Sequence, residues 1–173
     1  MTLFTAETSL RQLCPARDLS PAERLLVRSI RTMVFTDNGG KAVARAFRRK
    51  LGDAAAHQAL AALFSFVGLL SGNARRNLRF RLPQCRKVSA DERTLVALLA
   101  ALQAGRMSHA RSLIGWLLPP GTQEPAFAYA ASLARGFREG GLMFNGPSVR
   151  RTPKRSTETA TPLADTRKSL VVL

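Results

Sequence analysis

A chain of 173 residues with 46% apolar content is long enough for one domain with its own hydrophobic core, or for such a domain plus a tail. Aromatic content of 6%, mostly nine Phe, together with abundant Ala, Leu and Arg and scarce Val, Ile and Tyr, argues against a β-rich fold and for a mostly α one. The 27 Lys plus Arg against 11 Asp plus Glu leave a net charge of +16, nearly all of it arginine, so the expected partner is an anion: nucleic acid, an acidic protein or an anionic membrane.

The chain opens on MTLFTAETSL, which has no basic stretch followed by an apolar one, so no export is expected. Cys14 and Cys85 do not make a disulfide framework, and reduced thiols in a cytoplasm are the default. Residues 1–19 form a weakly patterned lead in which 5–13 can make a short helix, with Leu10 and Leu13 inward, stopped at Cys14-Pro15. The first firm start is Ser20-Pro21-Ala22-Glu23, a capping box with Pro at the first helical position. That helix is expected to run to about Phe35, with Leu26, Ile30 and Met33 inward and Arg24, Arg28 and Arg31 together on the opposite side. Asp37-Asn38-Gly39-Gly40 ends it.

Residues 41–51 predict a second helix, with Val43, Phe47 and Leu51 as its inner stripe and Lys41, Arg45, Arg48 and Arg49 as a basic outer one. A third helix over 54–70 carries Leu60, Leu63, Phe64, Val67 and Leu70 and almost no charge. Its length is at the lower edge for a membrane span, it contains His57 and Gln58, and cations flank both ends, so a buried central helix is expected. Residues 75–82 then alternate basic and apolar: Leu78, Phe80 and Leu82 on one side, Arg79 and Arg81 on the other. That is strand periodicity, but no partner strand is evident in the sequence, so an extended linker is expected.

Ser89-Ala90-Asp91-Glu92 repeats the capping box and starts a helix with Leu95, Leu98, Leu99 and Leu102 inward, stopped at Gly105. Ser108 can cap the next helix, through Leu118, with Leu113, Ile114 and Leu117 inward and Trp116 nearby. Pro119-Pro120-Gly121 breaks it, and Glu124-Pro125 opens a last helix to about Arg138. After Gly140-Gly141 the chain turns Pro-, Ser-, Thr- and Arg-rich and is expected to be disordered. The expected organisation is therefore a lead over 1–19, a compact all-α bundle of five or six helices over 20–140, and a disordered basic tail over 141–173.

Catalysis finds little support. Only His57 and His109 are histidines, no HExxH, GxSxG, phosphate-loop or dinucleotide fingerprint occurs, and Asp91 and Glu92 are accounted for as caps. The chain is read as not an enzyme, with no cofactor, no metal site and no small-molecule substrate, since Cys14, His57, Cys85 and His109 lack metal-site spacing. Cys85 beside Arg86-Lys87 is a candidate redox-responsive thiol, because neighbouring cations favour a thiolate. Ala101 to Gly105 followed by Ser108 has helix-turn-helix spacing, yet its second helix offers only His109 and Arg111 as readers, and two packed bundle helices give the same pattern. The apolar tip Leu170-Val171-Val172-Leu173 can be captured as a strand or be an ordinary chain end.

The run Ser89-Ala90-Asp91-Glu92, the Leu/Ala helix after it, Gly-Arg-Met-Ser-His-Ala-Arg-Ser-Leu from Gly105, and the Ala-rich helix to Phe137 resemble an uncharacterised family of small helical alphaproteobacterial proteins. In that family a Cys-containing stretch precedes the matching capping box, where Cys85 sits here. The resemblance covers about 22–140; this chain is far more basic, has fewer cysteines and adds the tail. It implies a cytoplasmic, bacterial, all-helical protein, and the family has no known activity to carry over.

The expected function is that of a non-enzymatic binding protein, a regulator or accessory factor that contacts nucleic-acid phosphates through Arg45, Arg48, Arg49, Arg75, Arg76, Arg79, Arg81, Arg86 and Lys87. Arg150, Arg151, Lys154 and Arg155 of the tail would add contacts. The alternatives are an adaptor docking an acidic partner protein and peripheral attachment to anionic lipid through the same residues. A genome biased toward arginine codons would give the same count without selection for binding.

Overall fold

The computed structural model of the chain describes residues 4–6 and 14–145. The expected short helix past Ala6, the tail from residue 146 with Arg150, Arg151, Lys154 and Arg155, and the C-terminal tip lie outside these residues. Six helices form the all-α bundle: α1 Pro21–Phe35, α2 Gly39–Leu51, α3 Asp53–Asn73, α4 Ala90–Gln103, α5 Met107–Leu117 and α6 Pro120–Glu139. Four short strands accompany them: β1 Phe4–Ala6, β2 Cys14–Pro15, β3 Leu78–Phe80 and β4 Lys87–Val88.

Both expected capping boxes form. Ser20 Oγ accepts from the Glu23 amide at 3.3 Å, and Glu23 accepts in return from the Ser20 amide at 2.7 Å. Ser89 and Glu92 repeat this at 3.1 and 2.8 Å, so two orphan amides are satisfied at each start. The α1–α2 turn uses Asn38 at φ 57°, a left-handed conformation that Asn tolerates better than most side chains. Gly39 follows because a Cβ there would collide with the Thr32 carbonyl. α2 therefore begins two residues earlier than its side-chain pattern suggests.

α3 sits at the centre, packed against α2 and α6, with Ala55, Ala56, Ala59, Leu63, Phe66 and Leu70 buried. It is long and apolar enough to cross a membrane by length and composition, but half of its most apolar window is buried within the bundle. Phe64, expected inside, is exposed, and Phe66 takes the core position on the opposite face. The α3–α6 contact is close because Gly136 has no side chain: a Cβ there would lie 2.8 Å from that of Ala59. Phe47 meets Phe137 edge-on at 5.4 Å, and Phe144 covers Phe137 at 4.9 Å.

α6 begins at Pro120, four residues before the expected start, and carries Pro125 within it. Proline at the first helical position gives up an amide that has no intrahelical acceptor anyway, so Pro120 opens the helix rather than only separating it from α5. The packed chain also continues past Gly141. Gln103 donates to the Ala134 and Leu142 carbonyls and accepts from the Phe144 amide at 2.9 Å, while Glu23 accepts from the Asn145 amide at 3.1 Å.

The stretch between α3 and α4 corrects the sequence reading. β3 is a true strand: β1 pairs with it in parallel, Phe4 opposite Leu78 and Ala6 opposite Phe80. β2 pairs antiparallel with β4, Cys14 opposite Val88. The partners come from the N-terminal lead, more than seventy residues away in sequence by the same pairing, and so leave no local signal. Thr5 and Ala6, expected to start a helix, are strand residues for the same reason.

Candidate functional site

The basic segment 75–88 is strapped across the N-terminus of α4 by that helix's two acids. Asp91, 5% exposed, accepts two hydrogen bonds from the Arg76 guanidinium, at 3.1 and 2.5 Å, and one from the Arg79 amide at 2.8 Å. The bond to Asp91 holds the Arg76 guanidinium above its usual pKa, with the carboxylate charge adding to this and partial burial opposing it. Glu92 accepts from the Arg81 amide at 3.0 Å and from Arg31 in a two-pronged pair at 2.6 and 2.7 Å.

Arg31 is the main departure from the helix-wheel expectation. Instead of facing solvent with Arg24 and Arg28, it is 2% exposed and spends its remaining donors on the Cys85 and Lys87 carbonyls, each at 2.7 Å. An arginine points inward here because a buried carboxylate and the carbonyls of the strap's turn saturate its planar fork. Arg81 is likewise buried, since β3 ends at Phe80 and the chain turns in over Glu92. It is withdrawn as a surface contact.

The remaining predicted contacts divide. Arg75, Arg79, Arg86 and Lys87 are exposed along the strap, with Arg75 donating to the Gly115 carbonyl at 3.0 Å. Arg76 is committed to Asp91 and lies 5.7 Å from the ring centre of Trp116. On α2, Arg45 and Arg48 are exposed; Arg48 lies 3.9 Å from exposed Asp53, a pair worth little in water. Arg49 turns the other way, toward α1.

That other side holds a cationic concavity. α1 and α2 run back along each other, and the small side chains Ala42 and Ala46 leave space beside Leu25 and Val43. The resulting groove is about 440 Å³. Arg24 and Arg28 of α1 and Arg49 and Lys50 of α2 line it, and no carboxylate does. All four cations are exposed. Arg24 is steadied by a bond from its guanidinium to the Leu19 carbonyl at 2.9 Å. Arg24, Arg28 and Lys50 were not among the contacts expected from the sequence. Their signal was present, as Arg24 and Arg28 share one helical face and the short turn Thr36-Asp37-Asn38 brings α2 back beside it.

Charge burial sharpens this asymmetry. Among the described residues the buried carboxylates are Glu23, Asp91 and Glu92, all at helix starts, while only Arg31 and Arg81 among the cations are buried. Among these residues burial thus takes one more negative than positive charge off the surface.

The other candidates are placed plainly. α4 and α5 pack as bundle neighbours; both expected readers, His109 and Arg111, are exposed, and Arg111 pairs with Glu124 and lies 4.5 Å from the centre of the Phe127 ring. Cys85 is a free, half-buried thiol in the turn whose carbonyl Arg31 holds. No three His, Cys, Asp or Glu side chains are grouped to hold a metal among the described residues. No family model matches the chain, and neither do any curated protein or solved structure, so its functional reading rests on this geometry.

Proposed function

We propose that this is a non-enzymatic nucleic-acid-binding protein that grips phosphates in the α1–α2 groove. The observation that carries the reading is the groove's lining: Arg24 and Arg28 face Arg49 and Lys50 across a small apolar floor, with no acid to compete. Guanidinium groups bind phosphate oxygens through paired donors, and closely set cations release condensed counterions when they neutralise a polyanion. The exposed cations Lys41 and Arg45 on the outer face of α2, and Arg86 and Lys87 on the strap, extend the positive field and favour encounter. A regulatory or accessory role fits a small binding module better than a catalytic one.

The test is fluorescence anisotropy with labelled oligonucleotides and the full chain across a salt series. Binding is expected to weaken steeply with salt, with a logarithmic slope of about 0.9 per phosphate contact on duplex and about 0.7 on single strands. A flat salt response rejects the reading. No binding at low salt, together with capture of an acidic protein that survives nuclease or sedimentation with anionic vesicles, would replace it with one of the alternatives.

A further inference from the structure

Trp116 is the one tryptophan of the chain, and it stands 63% exposed near the end of α5, where its neighbours Ile114 and Leu117 are buried. An indole brings a large apolar face and is enriched at interfaces, so an exposed one is available to a partner. Its surroundings are built rather than loose. The Arg76 guanidinium lies 5.7 Å from the ring centre and is fixed by both oxygens of buried Asp91. Arg75 is tied to the same end of α5 twice, through its amide to the Leu117 carbonyl and its side chain to the Gly115 carbonyl, each at 3.0 Å. Arg79, whose amide shares the Asp91 carboxylate, is exposed beside them in sequence.

We propose that Trp116, backed by Arg76, is a stacking platform for an unpaired nucleobase, with Arg75 and Arg79 taking the adjoining phosphates. This rests on the nucleic-acid reading above and narrows it, because the bases of a duplex are already stacked on one another and cannot lie on an indole. The ligand class is therefore single-stranded nucleic acid. Charge decides for a base over an apolar protein anchor: the groups held at the indole are cations, and the carboxylate that fixes Arg76 is buried while Arg75 is held by backbone carbonyls. Stacking of this kind tolerates any sequence, since every base offers a π face, and an adjacent guanidinium adds a cation–π contribution.

The test uses the full chain, a fluorescein-labelled oligo(dT) of about 15 nucleotides, within the range of single-strand site sizes, and a duplex of matched charge. Oligo(dT) is expected to quench the emission of Trp116, and Trp116→Ala to weaken oligo(dT) binding by roughly tenfold or more while leaving the duplex unaffected. Trp116→Phe, which keeps a π face, should retain part of the affinity. If oligo(dT) binds by anisotropy but neither quenches the indole nor responds to Trp116→Ala, the platform is overturned and the phosphate groove stands. If neither oligonucleotide binds at low salt, both readings fall. The quenching arm needs no variant, so it holds whatever Trp116→Ala does to folding.

Discussion

Arg24, Arg28 and Arg31 share a helix and two different fates, and the difference is what each one meets. Arg31 meets Glu92 at 2.6 Å in the dry interior, with two strap carbonyls completing its fork, whereas Arg24 and Arg28 meet solvent and the α2 wall of the groove. Removing one partner of a buried pair strands the other charge, so Arg31→Ala or Glu92→Gln is expected to cost about 3–5 kcal/mol. Arg24→Ala should stay within about 0.5 kcal/mol. Urea denaturation of the three variants checks both figures, and equal losses would contradict the assignment of roles. Arg76 allows a pH prediction. Its guanidinium pKa is raised by Asp91, and a base raised on folding contributes stability that is fully present below the unfolded value and lost only as pH rises through the folded one. For an arginine that window lies in strong alkali, so the Arg76 tie should contribute no alkaline loss between pH of about 7 and 10. A melting temperature measured across that range checks it.

At the scale of the element, the starts of α1 and α4 were written locally and the strands were not. Ser20 with Glu23, and Ser89 with Glu92, satisfy amides within a single turn, so their spacing alone announces them. Leu78 and Phe80 have strand periodicity, but their partners Phe4 and Ala6 are supplied by the far end of the chain, and only the folded bundle brings the two together. The same reason hid the inward turn of Arg31, whose carboxylate lies on α4. The groove was half legible, since Arg49 was a predicted contact while Arg24, Arg28 and Lys50 needed the α1–α2 pairing to complete it. Ser89 does double duty: besides capping α4, its hydroxyl donates to the Arg79 carbonyl at 2.6 Å and so ties down the strap. Ser89→Ala should therefore cost at least about 1 kcal/mol, the usual loss for a cap. It should also speed hydrogen exchange at the Arg79 and Arg81 amides, which an isolated capping defect would leave alone. Where α3 crosses α6, Gly136→Leu forces a side chain against Ala59, and overpacking of about 1–3 kcal/mol is expected by thermal denaturation.

For the whole molecule the governing fact is where the charges go. Glu23, Asp91 and Glu92 at helix starts are used internally, the last two to strap the basic segment 75–88 over α4, and exposed acids such as Asp53 and Glu124 are fewer than the exposed cations. The chain thus resembles a folded polycation with two organised anion-facing features, the groove between α1 and α2 and the arginine-framed Trp116. Composition made the cationic surplus legible; which cations lie together depended on helix pairing and on the Asp91 and Glu92 ties. The measurement that tests this most directly compares two triple charge reversals in the full chain. One is Arg24, Arg28 and Arg49→Glu in the groove; the other is Arg17, Arg106 and Arg135→Glu, exposed positions that do not line it. Net charge changes equally, so a diffuse polycation would lose oligonucleotide affinity equally in both. The groove reversal is predicted to lose far more and to lower the salt slope by about 0.7–0.9 for each contact removed. Equal losses would show that phosphates are held by overall charge and not by the groove.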